Sequence, residues 1–184
     1  MAPRLVVICI SLCALLALPA GSHAAGKRTV QCAGTDVAPD AGNLATVRAA
    51  VLCLHNRDRA ARGLPPLKEN AKLRRAAEGH AENMVSRSFF SHDSPDGADM
   101  ADRILATGYA RGAGWSLGEN IAWGSADLAT AAEIHRAWMH SPGHKANILR
   151  RQFREIGIGI ALGAPVATGG LDGATYTADF GVRR

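Results

Sequence analysis

Ile156-Gly157-Ile158-Gly159-Ile160-Ala161-Leu162 is the stretch that decides the fold. Bulky and tiny residues alternate with a period of two, which is the signature of a strand. One face carries isoleucine and leucine, and the other is almost flat. A flat face lets a neighbouring layer come unusually close. Tyr176, Ala178 and Phe180 alternate in the same way and predict a second strand. The Gly-rich segment from Gly163 to Gly173 then reads as the loop of a long hairpin.

Upstream the period changes to that of helices. Asn43 reads as an N-cap, followed by Leu44, Val47, Val51 and Leu54 on one face, with Gly63 and Pro65 as stops. Asn70 caps a second helix striped by Leu73, Ala76, Ala77, His80, Ala81 and Met84. A loop from Phe89 to Gly97 holds the turn Ser94-Pro95-Asp96-Gly97. A short helix is expected from Asp99 to Thr107, an irregular stretch from Gly108 to Gly118, and a short strand from Glu119 to Trp123. Asp127 reads as the cap of a helix with Leu128, Ala131, Ala132, His135, Trp138 and Met139 on its inner face. Ser141-Pro142 reads as N-cap and first residue of a further helix through Leu149. Helices grouped before strands predict an α+β layered domain.

The chain has 184 residues, a formal charge of +5, 47% hydrophobic and 20% charged residues. That composition excludes a wholly disordered chain. A single long apolar run excludes a polytopic membrane protein. Aromatic residues make up only 5%, and the basic excess forms no block, so no nucleic-acid surface is expected.

Residues 1–24 read as a Sec-type signal peptide. Arg4 is followed by an apolar run from Leu5 to Pro19, with small residues at Ser22 and Ala24 before a cleavage point at Ala25. An uncleaved anchor is the alternative. Residues 25–42 are then an N-terminal arm and residues 43–184 the domain. An exported monomer, extracellular or periplasmic, with no membrane span after cleavage is expected. Cys9 and Cys13 leave with the signal, and Cys32 and Cys53 remain as an even pair that reads as a disulfide in an exported protein. Two free thiols are the alternative.

Gly114-Trp115-Ser116-Leu117-Gly118 matches the G-x-S-x-G pattern, and Ser116, Asp127 and His144 follow a hydrolase order. The nucleophile elbow requires a strand before the serine and a helix after it, and neither pattern is present. His80 and His135 lie on apolar helix faces and read as hydrogen-bonded core histidines, with His55 of the same kind. His140, at a helix end, fits the C-terminal dipole. His92 stands in a loop, and His144 in a helix's first turn, where the dipole keeps an imidazole neutral. Glu119 sits beside Ile121, Ala122 and Trp123, where a carboxylate needs a partner.

Phe90-Ser91-His92, Gly118-Glu119-Asn120-Ile121-Ala122-Trp123 and Trp138-Met139-His140-Ser141-Pro142-Gly143-His144-Lys145-Ala146-Asn147-Ile148-Leu149 together resemble the bacterial branch of the CAP superfamily, the SCP-like domain of cysteine-rich secretory proteins, antigen 5 and pathogenesis-related 1 proteins. Leu54-His55-Asn56-Arg57-Asp58-Arg59, Leu64-Pro65-Pro66-Leu67, Ala77-Glu78-Gly79-His80-Ala81 and Ala178-Asp179-Phe180-Gly181 stand in the matching order.

The resemblance implies a three-layer α-β-α sandwich with a small antiparallel sheet. It implies a cleft where His92, Glu119 and His144 match three members of a metal-binding tetrad. Ser141 stands where eukaryotic members carry the second glutamate, and is expected as an N-cap or as a hydroxyl behind the ligands. Two imidazoles, one carboxylate and an open position suit Zn²⁺ or another divalent transition metal, and not Ca²⁺, which takes about six or more oxygens. The function implied is a secreted, non-catalytic binding module for a lipid, sterol or envelope component. The alternative is a metal-dependent extracellular hydrolase using the His₂Glu set, for which the sequence names no convincing general base.

Overall fold

The computed structural model describes residues 30–111 and 114–183. The expected signal peptide and the start of the arm lie outside the described residues. The elements run α1 (Leu44–Ala60), β1 (Lys68–Glu69), α2 (Ala71–Ser86), α3 (Met100–Ala106), β2 (Trp115–Ser125), a 3-10 turn (Ala126–Ala129), α4 (Ala131–His140), α5 (Pro142–Leu149), β3 (Glu155–Leu162) and β4 (Gly173–Arg183).

Four strands form one sheet in the order β1-β3-β4-β2. β3 and β4 pair antiparallel, Glu155 opposite Gly181 and Leu162 opposite Ala174, with Gly163 N–H donating to the Gly173 carbonyl at 2.7 Å to close the hairpin. β2 pairs antiparallel with β4 from Trp115–Arg183 to Ser125–Gly173. Two-residue β1 adds one parallel pairing to β3, which the expected all-antiparallel sheet did not include.

The two faces of β3 do what their alternation predicts. Ile156, Ile158 and Ile160 join Tyr176 and Phe180 in the main core with Val47, Val51 and Leu54 of α1 and Ile134 and Trp138 of α4. The glycine face receives α2. A Cβ built on Gly157 would lie 1.9 Å from the Arg74 nitrogen, and one on Gly159 would lie 2.2 Å from the Ala77 carbonyl carbon. These two glycines allow backbone-to-backbone contact between helix and sheet. With α2 on one face and α1, α4 and α5 on the other, the molecule is an α-β-α sandwich.

Several caps act as expected. Asn70 accepts from the Lys72 and Leu73 amides, and Asp99 forms a capping box with Asp102. Others differ. Asn43 occupies the cap position, but its side chain turns back to Asp40 and Ala38. Asp127 lies in the 3-10 turn and Leu128 is exposed; Thr130 caps α4, because the turn takes up the residues expected to form its start. Trp115–Gly118 belongs to β2 and not to an irregular stretch, because pairing with β4 supplies the order that its glycines lack. That strand puts Ser116 and Asp127 toward opposite ends of β2, so no serine triad forms.

Two polar groups inside the core tie distant segments. Arg59, fully buried, donates to the carbonyls of Pro65, Ile148, Arg150 and Phe153. His55 Nδ1 meets His135 Nδ1 at 3.0 Å, and His135 Nε2 meets Asp58 Oδ2 at 2.8 Å. The Cys32–Cys53 disulfide is present and fastens the arm to α1 across 21 residues of sequence. In the chain-entropy account a loop of that size contributes about 3 kcal/mol.

Adding a methyl group at Gly159 must push α2 off the sheet. Gly159→Ala is expected to lose about 3 kcal/mol, roughly 10 °C in Tm. Gly79 lies in the exposed interior of the same helix with open space around it, so Gly79→Ala should gain about 0.5–1 kcal/mol. Urea unfolding of both variants reads the opposite signs.

His55 is held well below its ordinary pKa by burial, then by the charges of His135 and Arg59; His135 is lowered by burial against the opposing pull of Asp58. Unfolded, both take up protons below about pH 6.5 while the native state resists. The unfolded chain therefore binds more protons, and stability falls as pH drops below about 6.5. Unfolding free energies measured between about pH 7 and 5 should show a shallower slope in His55→Gln than in the unaltered protein.

Candidate functional site

The site is built around one carboxylate. Glu119 sits mid-strand in β2, opposite Asp179 of β4, with its side chain only 2% exposed. Each oxygen has a cationic or imidazole partner. Arg103, from α3, brings Nη2 to Oε2 at 2.7 Å. His92 brings Nδ1 to Oε1 at 2.7 Å. Burial pushes the Glu119 pKa up, but the hydrogen bond from His92 and the Arg103 charge outweigh it and hold it below the usual carboxylate range. The same contact raises His92 above an ordinary imidazole.

An ionised carboxylate only accepts, so the His92 hydrogen on this contact lies on Nδ1. Its Nε2 is the free nitrogen, on a side chain that is 52% exposed. Carboxylate–imidazole pairs of this kind set the tautomer and orientation of a histidine whose other nitrogen is offered outward. The loop that carries His92 is held from below. The ring of His80 contacts the Ser91 carbonyl through Nε2 at 3.0 Å, and Phe89 packs against that ring edge-on.

His144 lies in the first turn of α5 and is half-buried. Burial and the nearby His92 lower its pKa, which leaves it a neutral imidazole at physiological pH. Side chains fasten α5 to the outer edge of β2. Asn120 Nδ2 donates to the His144 carbonyl at 3.0 Å, and Asn147 Nδ2 donates to the Glu119 carbonyl at 3.1 Å. Trp138 Nε1 donates to the Ile121 carbonyl at 3.1 Å. A Cβ on Gly118 would reach Asn147 Oδ1 and Phe153 Cζ, each at 3.0 Å, so that glycine clears room for α5.

His92 and Glu119 thus meet directly from a loop and a strand, while His144, on α5, is near enough to His92 to feel its charge. Among the described residues no three His, Cys, Asp or Glu side chains are arranged to hold a metal ion together. Ser141 ends α4 and opens α5, but its hydroxyl makes no capping bond and no other hydrogen bond among the described residues.

Arg103 and Asp179 belong to the site although the sequence assigns neither a role there: Arg103 lies in none of its motifs, and Asp179 only within Ala178-Asp179-Phe180-Gly181. Asp179 is fully buried behind Glu119, and its Oδ1 has no partner among the described residues. Burial, then the charge of neighbouring Glu119, raise its pKa well above the usual carboxylate range. The available signal was the polar face Thr175, Thr177 and Asp179 alternating with Tyr176, Ala178 and Phe180, with Asp179 as that face's one ionisable group. For Arg103 no signal within its short helix pointed to the sheet.

Known proteins place the architecture. A family model described as the cysteine-rich secretory protein family, CAP, matches residues 52–168. The uncharacterized protein YkwD of Bacillus subtilis is 35% identical over 109 residues, 59% of this chain and 40% of that protein. An extracellular SCP-domain protein from Bacillus anthracis is 26% identical, with a TM-score of 0.57 over 77% of this chain and 44% of that one. An outer surface protein of Borrelia burgdorferi shares the fold, at 21% identity and a TM-score of 0.55, over 71% of this chain and 87% of that one. The chain spans about two-fifths of the length of the Bacillus subtilis relative. With the sandwich, the ordered motifs and the family match in agreement, the chain belongs to the CAP, or cysteine-rich secretory protein, family.

Proposed function

We propose that the protein is an exported, non-catalytic binding module whose cleft presents His92 Nε2 and the His144 imidazole to a divalent transition metal, Zn²⁺ first, and through that face to a lipid, sterol or envelope component. The observation that carries this reading is the full engagement of Glu119. One oxygen is taken by Arg103 and the other by His92. The carboxylate therefore orients His92 and is not free to act as a general base, and no other carboxylate among the described residues hydrogen-bonds to His92. Export is supported by the extracellular and outer-surface placement of two similar proteins and by the even cysteine pair.

The donor set suits the metal chemically. Two imidazoles with room for water favour Zn²⁺ or a related ion over Ca²⁺. Bound there, the metal would supply Lewis acidity to an oxygen of a ligand. This chain's own residues orient His92 through Glu119, balance the carboxylate with Arg103 and keep His144 neutral. With two protein donors, affinity is expected to be weaker than that of a four-ligand structural site.

Calorimetry and elemental analysis should find about one zinc per chain, lost in His92→Ala/His144→Ala. Glu119→Gln should weaken it by about 10–100-fold. Zinc-loaded protein should hydrolyse neither casein nor simple esters. Absence of zinc uptake would overturn the metal centre, and hydrolysis that disappears in His92→Ala would overturn the non-catalytic reading.

A further inference from the structure

The end of the sheet remote from Arg183 has a composition unlike the rest of the molecule. β2, β3 and β4 all run between the same two ends, about 35 Å apart for an 11-residue strand. One end carries Arg154, Arg183 and Lys68. The other is built from the arm, the turn after β2 and the β3–β4 hairpin. No Lys or Arg occurs in residues 30–47, 112–135 or 155–182. This end carries Asp36, Asp40, Asp127 and Asp172, none in an ion pair among the described residues.

The same end concentrates apolar exposure. Val37, Leu128, Leu162, Val166 and Leu171 are each 43–58% exposed, and they are five of the nine large exposed hydrophobics among the described residues. Two grooves lie between them. One, of about 470 Å³, runs between Pro39–Ala41 of the arm and the hairpin residues Leu162, Val166 and Leu171. The other, also about 470 Å³, is lined by Asp36, Asp127, Leu128, Thr130 and Glu133, the last paired with Arg136. The Ala126 amide donates to the Asp172 carbonyl at 2.8 Å, which joins the two segments that border them. Clustered aliphatic exposure rimmed by charge marks an interaction surface.

We propose that this acidic, aliphatic end docks a cationic polypeptide segment of a second protein, with aliphatic side chains entering the two grooves and Lys or Arg facing the four aspartates. Charge selects the class of partner. On a chain of net charge +5, four unpaired aspartates gathered at an end whose groove-side arginine, Arg136, is already paired with Glu133 repel anionic polymers and attract cations locally. The aliphatic side chains provide contact area, and the aspartates provide orientation and salt dependence. The site is independent of the His92 cleft.

The probe is a nonapeptide of alternating Lys and Leu, tested by fluorescence anisotropy against the purified protein. Saturable binding is expected, weakening about tenfold between about 50 and 300 mM salt. Leu171→Ser with Val166→Ser should weaken it about tenfold, and Asp127→Asn with Asp172→Asn at least about threefold, each with unchanged Tm because all four side chains lie at the surface. A Glu/Leu peptide and a Lys/Ser peptide should bind at least about tenfold more weakly. No saturable binding, equal binding of either control peptide, or indifference to the substitutions would overturn the proposal. Concentration-dependent self-association lost in Leu171→Ser would assign the face to a second copy and overturn it equally.

Discussion

A carboxylate buried in a β-sheet demands compensation, and Glu119 gathers around it the groups that compensate it. Arg103 reaches it from α3, and the loop after α2 brings His92 to it. Asn147 of α5 takes its backbone carbonyl, and that same helix carries His144. Asp179, across the ladder, has its pKa pushed up by burial and by the same charge. The charge therefore ties α3 and the His92 loop to β2, while the backbone of the same residue anchors α5. The expectation of a three-ligand His₂Glu centre treated Glu119 as a donor to the outside. In the structure both of its oxygens are engaged, one by Arg103 and one by His92.

The sandwich itself depends on a different constraint, the absence of side chains at Gly157 and Gly159. Their alternation with isoleucine was legible because a strand pattern with one empty face has few other uses. The helices were legible from their stripes, and Asn70 and the short helix after Asp99 from their caps. β2 was legible only over its Glu119–Trp123 half. Its first residues carry glycines at Gly114 and Gly118, and the strand exists because eleven residues of β4 pair with it. β1 is two residues long and exists only through its parallel partner, so no local pattern announces it. Leu128 looked like part of a helix stripe and is instead exposed on a 3-10 turn.

The histidines separate by environment. His55, His80 and His135 are buried with polar partners, as their apolar stripes suggest. His92 and His144 are only partly covered, His92 on Glu119 and His144 in the first turn of α5. Position in the chain gave this division, whereas spacing alone could not bring residues 92, 119 and 144 together; that expectation came from the resemblance, and of its pairs the structure shows the His92–Glu119 hydrogen bond. Arg103 and Asp179 escaped notice because their roles depend on contacts between elements, which no single-element pattern encodes.

The central claim is that Glu119 orients His92 and leaves its Nε2 facing outward. Nitrogen-15 NMR of the His92 ring, recorded above its titration, tests this directly. The account predicts a hydrogen on Nδ1 and an unprotonated Nε2, with that preference relaxed in Glu119→Gln. A His92 ring protonated on Nε2 in the unaltered protein would contradict it.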